Sequence, residues 1–505
     1  IGVNVLNCNE TVSDSSAMDN NLGAYAGRLI SLPSTSSITN RARLYHNNDG
    51  PYLIQLQVEK NRTGVRANDS RVQLRSCCIT GLGRGAVADG PHSIGVSADN
   101  GSSVRIYGFE QTQSTDIKSV LRKFIDTNNF GRYAIGQCAV GLQVCMATIY
   151  LRNSFVVDNV LGLHAMSGNK AIVQESAFRT NDTAVVIENS ETQLYAMNSL
   201  FVENKITAIK FDKGASGLVG SSIICSNGGQ SSAEVCVLGG ASAEFVSCRL
   251  GHSFPVQDNV TENNADDPEQ KKHEQKEELK SMTYTHDLAL RDFSKIPVTI
   301  LVAGLSTQAK FDSNDVGGGG VGLLVEPNAK VTLLRNHFGL PREYPDKPLT
   351  QIVSRFALKI GVLVFSVSAR LFERLTTTAR ESAQPPVVDY EEEHSEDPST
   401  HAAFVGVGCE SLDDVAESQP LLGNTLRGCW IGACFNAPAG KYAVVNNTFK
   451  NNAYGVTVSQ TLNLATAHNV FENQYTSGIC CLPSCLPFHW DNAAGRCREL
   501  RHSSH

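Results

Sequence analysis

Adjacent carboxylates are the residues of this sequence with the clearest potential for acid-base chemistry. Two Asp-Asp pairs occur, Asp266-Asp267 and Asp413-Asp414. Two carboxyl groups can share the roles of general acid and general base when their surroundings separate their pKa values. The first pair lies in a strongly charged segment and the second in a predicted loop. We therefore interpret both pairs as solvated surface rather than as catalytic pairs.

Cysteine and histidine near the C-terminus have the donor types of a zinc site. Their spacing is Cys481-x3-Cys485-x3-His489-x7-Cys497. This spacing matches no common zinc finger, and two prolines within it indicate an irregular cap. A zinc site and a cap with buried thiols or a disulfide both remain open. We predict no cofactor.

Other residues that could do chemistry lack the rest of a motif. The run Gly317 to Gly320 has neither the Gly-Lys-Ser/Thr ending nor the helix of a phosphate loop, so it predicts a flexible turn. Five histidines share no common pattern; they are His164, His252, His337, His468 and His489. The sequence therefore predicts no catalytic residue.

A repeat determines which elements would position these residues. Phe155, Phe178, Leu200 and Ile223 are 23, 22 and 23 residues apart, and each precedes polar turn residues. A fixed period in the twenties is typical of a solenoid, in which each unit buries its apolar face against copies of itself. We expect these four side chains to form a ladder along a common axis.

Within each unit the alternation of residue types indicates short strands. Thr192, Leu194 and Ala196 lie on one face of an extended chain, and asparagine, aspartate and glycine follow as turn residues. About 22 residues suit three short parallel strands and three turns. The leucine-rich repeat is excluded because its leucine and asparagine pattern is missing. The prediction is an all-β, single-stranded, right-handed parallel β-helix of about ten coils.

Two segments interrupt the repeat. One is rich in charges of both signs and polar all round, as in a solvated helix. The other combines apolar residues at helical spacing over 352–375 with an acidic linker at 391–397. Gly361 and the β-branched residues of this segment also allow it to be partly strand. The predicted organisation is β-helix 1–260, charged helical insertion 261–296, β-helix 297–340, amphipathic helix plus acidic linker 341–403, β-helix 404–479, and a Cys/Pro-rich cap 480–505.

Composition limits the classes of partner. A formal net charge of -7, with no basic cluster, argues against nucleic acid. No apolar run reaches the ~20 residues that span a bilayer. The 15 cysteines lack the spacing of a disulfide framework, so we expect most to be reduced and buried. This favours an intracellular, cytoplasmic or cytoskeletal location, with secretion as the alternative.

One phrase of the repeat resembles a known family. Asn447 to Val458 reads Asn-x-Phe-x-x-Asn-x-x-Gly-Val-x-Val, with looser copies at Asn153 to Leu163 and Asn469 to Ile479. With these residues the chain resembles the parallel β-helix repeat family. That family includes pectin-lyase-like enzymes, carbohydrate-binding β-helices, and intracellular β-helices of F-box adaptors and of cytoskeletal or flagellar scaffolds.

The resemblance implies the fold and favours the non-enzymatic branch. Hydrolases of the family carry Asn-Thr-Asp, Asp-Asp, Gly-His-Gly and Arg-Ile-Lys on successive coils, and only bare Asp-Asp pairs occur here. The lyase type would need Asp and Arg stacked at the repeat period on an exposed strand face. Four polar residues occupy roughly equivalent positions, and we interpret them as turn formers; they are Asp158, Asn181, Glu203 and Ser226.

We therefore predict a non-catalytic scaffold, a protein-interaction rod in a large cytoskeletal or axonemal assembly. Partner proteins would contact the insertions 261–296 and 341–403 and the exposed sides of the β-helix. Contact of the 352–375 segment with a membrane surface is a less favoured alternative. The alternative function is an extracellular β-helix that binds or cleaves polysaccharide.

Overall fold

Three parallel sheets run the length of the chain and enclose a common interior. In this computed structural model the description covers 3–6, 11–13, 16–18, 22–27, 52–54, 57–61, 63–81, 93–108, 134–228, 233–251, 297–318, 320–326, 328–340, 360–365, 419–429, 431–436, 442–459, 464–474, 477–481, 488–490 and 493–495. Each coil contributes one strand to each sheet. Each sheet has 15 strands, and these described residues contain no helix. The predicted parallel β-helix is confirmed.

The strands follow one another in the order sheet A, sheet B, sheet C. Sheet A contains β1 (Val3–Leu6), β4 (Leu22–Gly27), β7 (Thr63–Asn68), β10 (Ile94–Asp99), β13 (Val140–Cys145), β16 (Leu161–Met166), β19 (Thr183–Glu188), β22 (Thr207–Asp212), β25 (Ala233–Val237), β28 (Val298–Val302), β31 (Val321–Val325), β34 (Ile360–Phe365), β37 (Ile431–Asn436), β40 (Tyr454–Ser459) and β43 (Ser477–Cys481). Sheet B contains β2 (Thr11–Ser13), β5 (Tyr52–Ile54), β8 (Arg71–Arg75), β11 (Ser103–Tyr107), β14 (Thr148–Arg152), β17 (Lys170–Gln174), β20 (Gln193–Met197), β23 (Ser216–Gly220), β26 (Ser242–Val246), β29 (Gln308–Asp312), β32 (Lys330–Leu334), β35 (Gln419–Leu422), β38 (Tyr442–Val445), β41 (Leu464–Ala467) and β44 (Phe488–Trp490). Sheet C contains β3 (Ser16–Met18), β6 (Gln57–Asn61), β9 (Cys78–Gly81), β12 (Ala134–Gly136), β15 (Phe155–Val157), β18 (Ala177–Arg179), β21 (Leu200–Val202), β24 (Ile223–Cys225), β27 (Arg249–Leu250), β30 (Asp315–Val316), β33 (His337–Gly339), β36 (Thr425–Arg427), β39 (Thr448–Lys450), β42 (Val470–Glu472) and β45 (Ala493–Gly495).

Every second side chain points into the coil, and the inward side chains form one continuous core. Aromatic rings stack on one another from coil to coil with centroids 5.0 to 5.3 Å apart, in the pairs Phe178–Phe201, Phe245–Phe311 and Phe449–Phe471. Such stacking adds to the free energy of burial. The core therefore specifies how neighbouring coils align as well as holding them together.

The predicted ladder is one residue out of register at Phe178. The residues that pair on the outer face of sheet C are Phe155, Ala177, Leu200 and Ile223. Phe178 belongs to the inward ladder of Val156, Phe178, Phe201 and Ile224. The prediction aligned the first large apolar residue of each unit, whereas the register is set by the serine that precedes each strand. Ser176 precedes Ala177, and this alanine was overlooked.

Two ladders of buried polar side chains close the corners of the coils. In each ladder, a residue with positive φ immediately precedes the ladder residue. The side chain of the ladder residue accepts a hydrogen bond from the backbone of the preceding coil. The BC ladder, between sheets B and C, is Ser154, Ser176, Ser199, Ser222, Cys248, Asn314, Asn336, Asn424, Asn447 and Asn469. The CA ladder, between sheets C and A, includes Cys138, Asn159, Asn181, Asn204 and Asn227. These bonds satisfy backbone groups that the turns leave without sheet partners.

The amphipathic helix predicted over 352–375 is wrong at its centre. Ile360–Phe365 is strand β34, which pairs with β31 and β37 in sheet A. Its β-branched residues favour a strand, and Gly361 lies where a Cβ atom would come within 2.6 Å of the Gly432 carbonyl oxygen. The predicted insertion 341–403 is therefore divided by a strand of the β-helix. The rest of that helix, the acidic linker and the insertion 261–296 lie outside the described residues.

The β-helix extends further than predicted at its C-terminal end. Strand β43 runs into the predicted cap 480–505, and β44 and β45 lie within it. The structure has 15 coils instead of about ten, because coils interrupted by long connections lose the 22-residue period. At ~4.8 Å per coil the rod is roughly 70 Å long.

Candidate functional site

The outer face of sheet A carries an apolar patch that is buried. The sheet A patch consists of Ala233, Cys236, Leu238, Val298, Leu301, Ala303, Val321, Leu324, Ile431 and Cys434. Cys236 and Leu301 point away from the coil interior and are nevertheless 0% exposed. An outward side chain loses all contact with solvent only when further chain packs over it. This part of sheet A is therefore not open to a partner.

A second buried patch lies on the outer face of sheet C. The sheet C patch consists of Ala134, Phe155, Ala177, Leu200, Val202 and Cys225. Burial raises the pKa of the Cys225 thiol, and it raises the pKa of Cys138, Cys236 and Cys248 to about 12. Such thiols stay protonated and are poor nucleophiles. Of the ten cysteines whose side chains are described, seven are buried, as the sequence predicted.

Beyond this patch the outer face of sheet C becomes charged. Arg249 pairs with Asp315, and Asp315 pairs with His337, so the three residues lie side by side on successive coils. Adjacent strands are about 4.8 Å apart. His337 is 5% exposed, and its Nε2 lies 2.5 Å from the Leu340 carbonyl oxygen. A guanidinium, a carboxylate and an imidazole in one row can bind an anion and transfer protons.

Glycines form a strip without side chains beside this row. Gly251, Gly317 and Gly339 each lie two residues after a member of the row. A Cβ atom at Gly339 would lie 1.9 Å from the Arg427 carbonyl oxygen, and one at Gly251 would lie 2.2 Å from the Gly317 carbonyl oxygen. Close packing of the backbone therefore requires glycine. Of the run predicted to be a turn, Gly317, Gly318 and Gly320 lie in the corner between sheets C and A, and Gly318 has a φ of 119°.

Glu234 ends the CA ladder. Its carboxyl group accepts hydrogen bonds from the side chain and the backbone of Asn227 and from the backbone of Gly251. Its Oε2 is buried and has no hydrogen-bond partner among the residues that the structure describes. Burial raises the pKa of Glu234 to about 8, against the opposing effect of these hydrogen bonds. At neutral pH the group is therefore largely uncharged.

Sheet B presents the open face of the rod. Its inward residues, such as Val72 and Leu74, join the core, whereas the outward Arg71, Arg75 and Lys170 are exposed. Strands of five residues in regular register make this face long and flat. Its shape suits contact with a macromolecule along several coils.

The residues predicted to do chemistry do not converge in the described part of the structure. Both Asp-Asp pairs lie outside it, as do Cys485 and Cys497. Cys481 lies in β43 of sheet A and His489 in β44 of sheet B. A zinc site formed by these four residues stays a prediction.

The four polar residues considered for a lyase-type site are turn and ladder residues. Asp158, Glu203 and Ser226 have φ of 55°, 55° and 56° at the corner between sheets C and A. Asn181 lies one position later, is 0% exposed, and donates through Nδ2 to Asn204 Oδ1 at 3.0 Å. Asn181 is therefore inaccessible to a ligand in the folded chain.

Sequence reasoning missed the row of Arg249, Asp315 and His337. Arg249 and Asp315 are neighbours in space but 66 residues apart, because the chain leaves the β-helix between them. Asp315 and His337 keep the ordinary spacing of 22 residues. Removing the charged segment before aligning the repeats would have revealed the row.

Comparisons with known proteins add no assignment to this geometry. Neither the protein-family models nor the curated proteins include a match to this chain. Within the described ranges, no group of three or more His, Cys, Asp or Glu side chains is placed to hold a metal ion. A helix long and apolar enough to cross a membrane is likewise absent from the part of the chain that the structure describes.

Proposed function

We propose that this protein is a non-catalytic scaffold of the parallel β-helix repeat family that binds other proteins along the outer face of sheet B. The observation that carries the proposal is the difference between the three outer faces. Apolar patches on sheets A and C are already buried, whereas sheet B keeps exposed charged residues on a flat face. The cytoskeletal or axonemal setting and the contacts through both insertions stay predictions.

Cross-linking mass spectrometry on the intact protein from native extract tests this proposal. We expect lysine cross-links to foreign proteins at Lys170, Lys310 and Lys330, which are exposed on sheet B. Lys205 and Lys213, exposed at corners beside sheet A, serve as internal controls and should give few. A chain that purifies as a monomer without partners, or one cross-linked mainly at the two control lysines, would contradict the proposal.

A second candidate function rests on the row of Arg249, Asp315 and His337. A lyase-type polysaccharide site requires Arg and Asp stacked on an exposed strand face, and Arg249 and Asp315 are paired on one face of sheet C and partly exposed. If this function applies, the protein will cleave polygalacturonate or alginate, measured with and without calcium. Asp315→Asn should then lower turnover by at least ~100-fold, since it removes a proton-transfer group. No turnover by the wild-type protein would remove this candidate.

A further inference from the structure

The N-terminal half of the open face is positively charged. Five strands of sheet B, β8, β11, β14, β17 and β20, provide fifteen outward positions. None of these positions holds Asp or Glu, and five hold a cation: Arg71, Arg75, Arg105, Arg152 and Lys170, of which Arg152 is paired with Glu175 at the adjoining corner, Nε to Oε2 at 3.2 Å. We call these fifteen positions the basic face. Because the whole chain carries a formal charge of -7, this face is a local exception.

Tyrosines lie between the cations and help to position them. The Arg75 guanidinium lies 5.6 Å from the centre of the Tyr107 ring, and Lys170 Nζ lies 4.7 Å from that of Tyr195. Contacts of this kind contribute about 0.5–1 kcal/mol at exposed sites. Tyr150 donates its hydroxyl hydrogen to Gln174 Oε1 at 2.7 Å. The cations are therefore partly ordered before any partner binds.

The same sheet loses this character further along the rod. In β26 and β29, Glu244 Oε1 lies 2.6 Å from Lys310 Nζ. Asp312 Oδ2 lies 2.5 Å from Arg335 Nη2. Opposite charges on neighbouring coils thus neutralise one another here. The basic face is confined to the earlier coils, so the two ends of the outer face of sheet B differ in charge.

We propose that the basic face docks an acidic, extended segment of a partner protein, an inference that deepens the proposed scaffold function and rests on it. Charge complementarity identifies the occupant: an acidic segment is repelled by the net negative charge of the chain and attracted to this face. Outward side chains along each strand recur about every 6.6 Å, as do side chains on one side of an extended peptide.

The tyrosine environment favours a peptide over a polysaccharide or nucleic acid. Stacking of sugars or bases requires free ring faces. One face of Tyr107 and one face of Tyr195 already lie against a cation. Ile172 and Met197 lie among the outward positions and are partly exposed, so they offer apolar contact to peptide side chains. Both features suit acidic side chains interspersed with apolar ones.

Fluorescence anisotropy with labelled poly-glutamate as the probe and the full chain as the receptor tests the inference. We expect binding at about 50 mM NaCl that weakens at about 300 mM, because exposed charge pairs are screened. The double variant Arg105→Glu, Lys170→Glu should bind at least ~10-fold more weakly, a change of about 1.4 kcal/mol. Lys205→Glu is the control, since Lys205 is an exposed lysine at a corner beside sheet A, away from the basic face. It should change affinity less than ~2-fold.

Three outcomes would overturn the inference. They are no binding of the probe at low salt, an equal loss of affinity in Lys205→Glu, and tighter binding of polygalacturonate than of poly-glutamate at equal carboxylate concentration. Circular dichroism must first show that all variants keep the thermal transition of the wild type. If the probe fails to bind but native cross-links still map to sheet B, the partner class is wrong and the scaffold function stands. If the cross-links fail as well, both are wrong.

Discussion

The variant Asn447→Ala is expected to lower the free energy of unfolding by about 4 kcal/mol, because it leaves several buried polar groups without partners. Asn447 is 0% exposed. Its Oδ1 accepts from Asn424 N at 2.8 Å and from Asn424 Nδ2 at 3.0 Å. Its Nδ2 donates to the Leu421 carbonyl oxygen at 2.8 Å and to Asn469 Oδ1 at 3.1 Å. Alanine removes one acceptor and one donor group that join three coils.

Equilibrium unfolding in urea measures this change. The neighbouring Asn446→Ala is the control, since Asn446 is exposed and makes no ladder contact. Asn446 has a φ of 54°, so its replacement by alanine is expected to cost about 1 kcal/mol of backbone strain. If Asn447→Ala and Asn446→Ala lower the free energy of unfolding equally, the hydrogen bonds of the BC ladder contribute no more to stability than the exposed turn residue Asn446 does.

The variant Glu234→Gln is expected to be more stable than the wild type at pH 8 by about 2 kcal/mol, and equally stable at about pH 4. Burial raises the pKa of Glu234 to about 8 in the folded protein, whereas the unfolded chain releases this proton near pH 4.3. Between about pH 4.3 and pH 8 the Glu234 carboxyl group is ionised in the unfolded chain but protonated in the folded protein. Ionisation therefore lowers the free energy of the unfolded state only. The wild type therefore loses stability as pH rises through this window. Because Glu234 is partly exposed, we expect a smaller difference in free energy of unfolding than the whole shift of its pKa would give.

Glutamine keeps the carbonyl acceptor for Asn227 and removes the charge, so it isolates the titration. Glu234→Ala is the matched variant, since it removes the acceptor as well and should destabilise the protein even at about pH 4, by about 1–3 kcal/mol. Urea unfolding across the pH range gives both quantities. If the difference in free energy of unfolding between Glu234→Gln and the wild type does not grow with pH, the Glu234 carboxyl group is not held uncharged in the folded protein.

The fold was predictable because its repeat is carried by residues with few alternatives. Asn447 and Phe449 recur at the coil period, one as a ladder residue and the other as a core residue, and both functions require that residue type. Phe178 shows the limit, since size alone did not distinguish an inward from an outward position. Strand β34 shows another: Ile360 and Val364 are four residues apart, which fits a helix as well as it fits a strand.

The candidate sites were less predictable, because each depends on contacts between distant residues. Arg249 and Asp315 meet only after the chain has left the β-helix and returned. Glu234 occupies a strand position where Gly432 and Gly455 occur in later coils, and its role as an acceptor depends on donors from Asn227 and Gly251, which come from neighbouring coils. The basic face required the register of five strands, since its cations are spread over about 100 residues of sequence.

The long connection within the twelfth coil affects how the chain is synthesised. Residues 366–418 join β34 to β35, whereas four residues, 326–329, make the same connection in the coil before. Closing the longer loop costs only about 2 kcal/mol more in chain entropy. A ribosome adds about 5–20 residues per second, so β35 emerges roughly 3–10 s after β34. During that interval the edges of β32 and β33 have no next strand, and the nascent chain presents an unpaired end on which chaperones or other nascent chains can act.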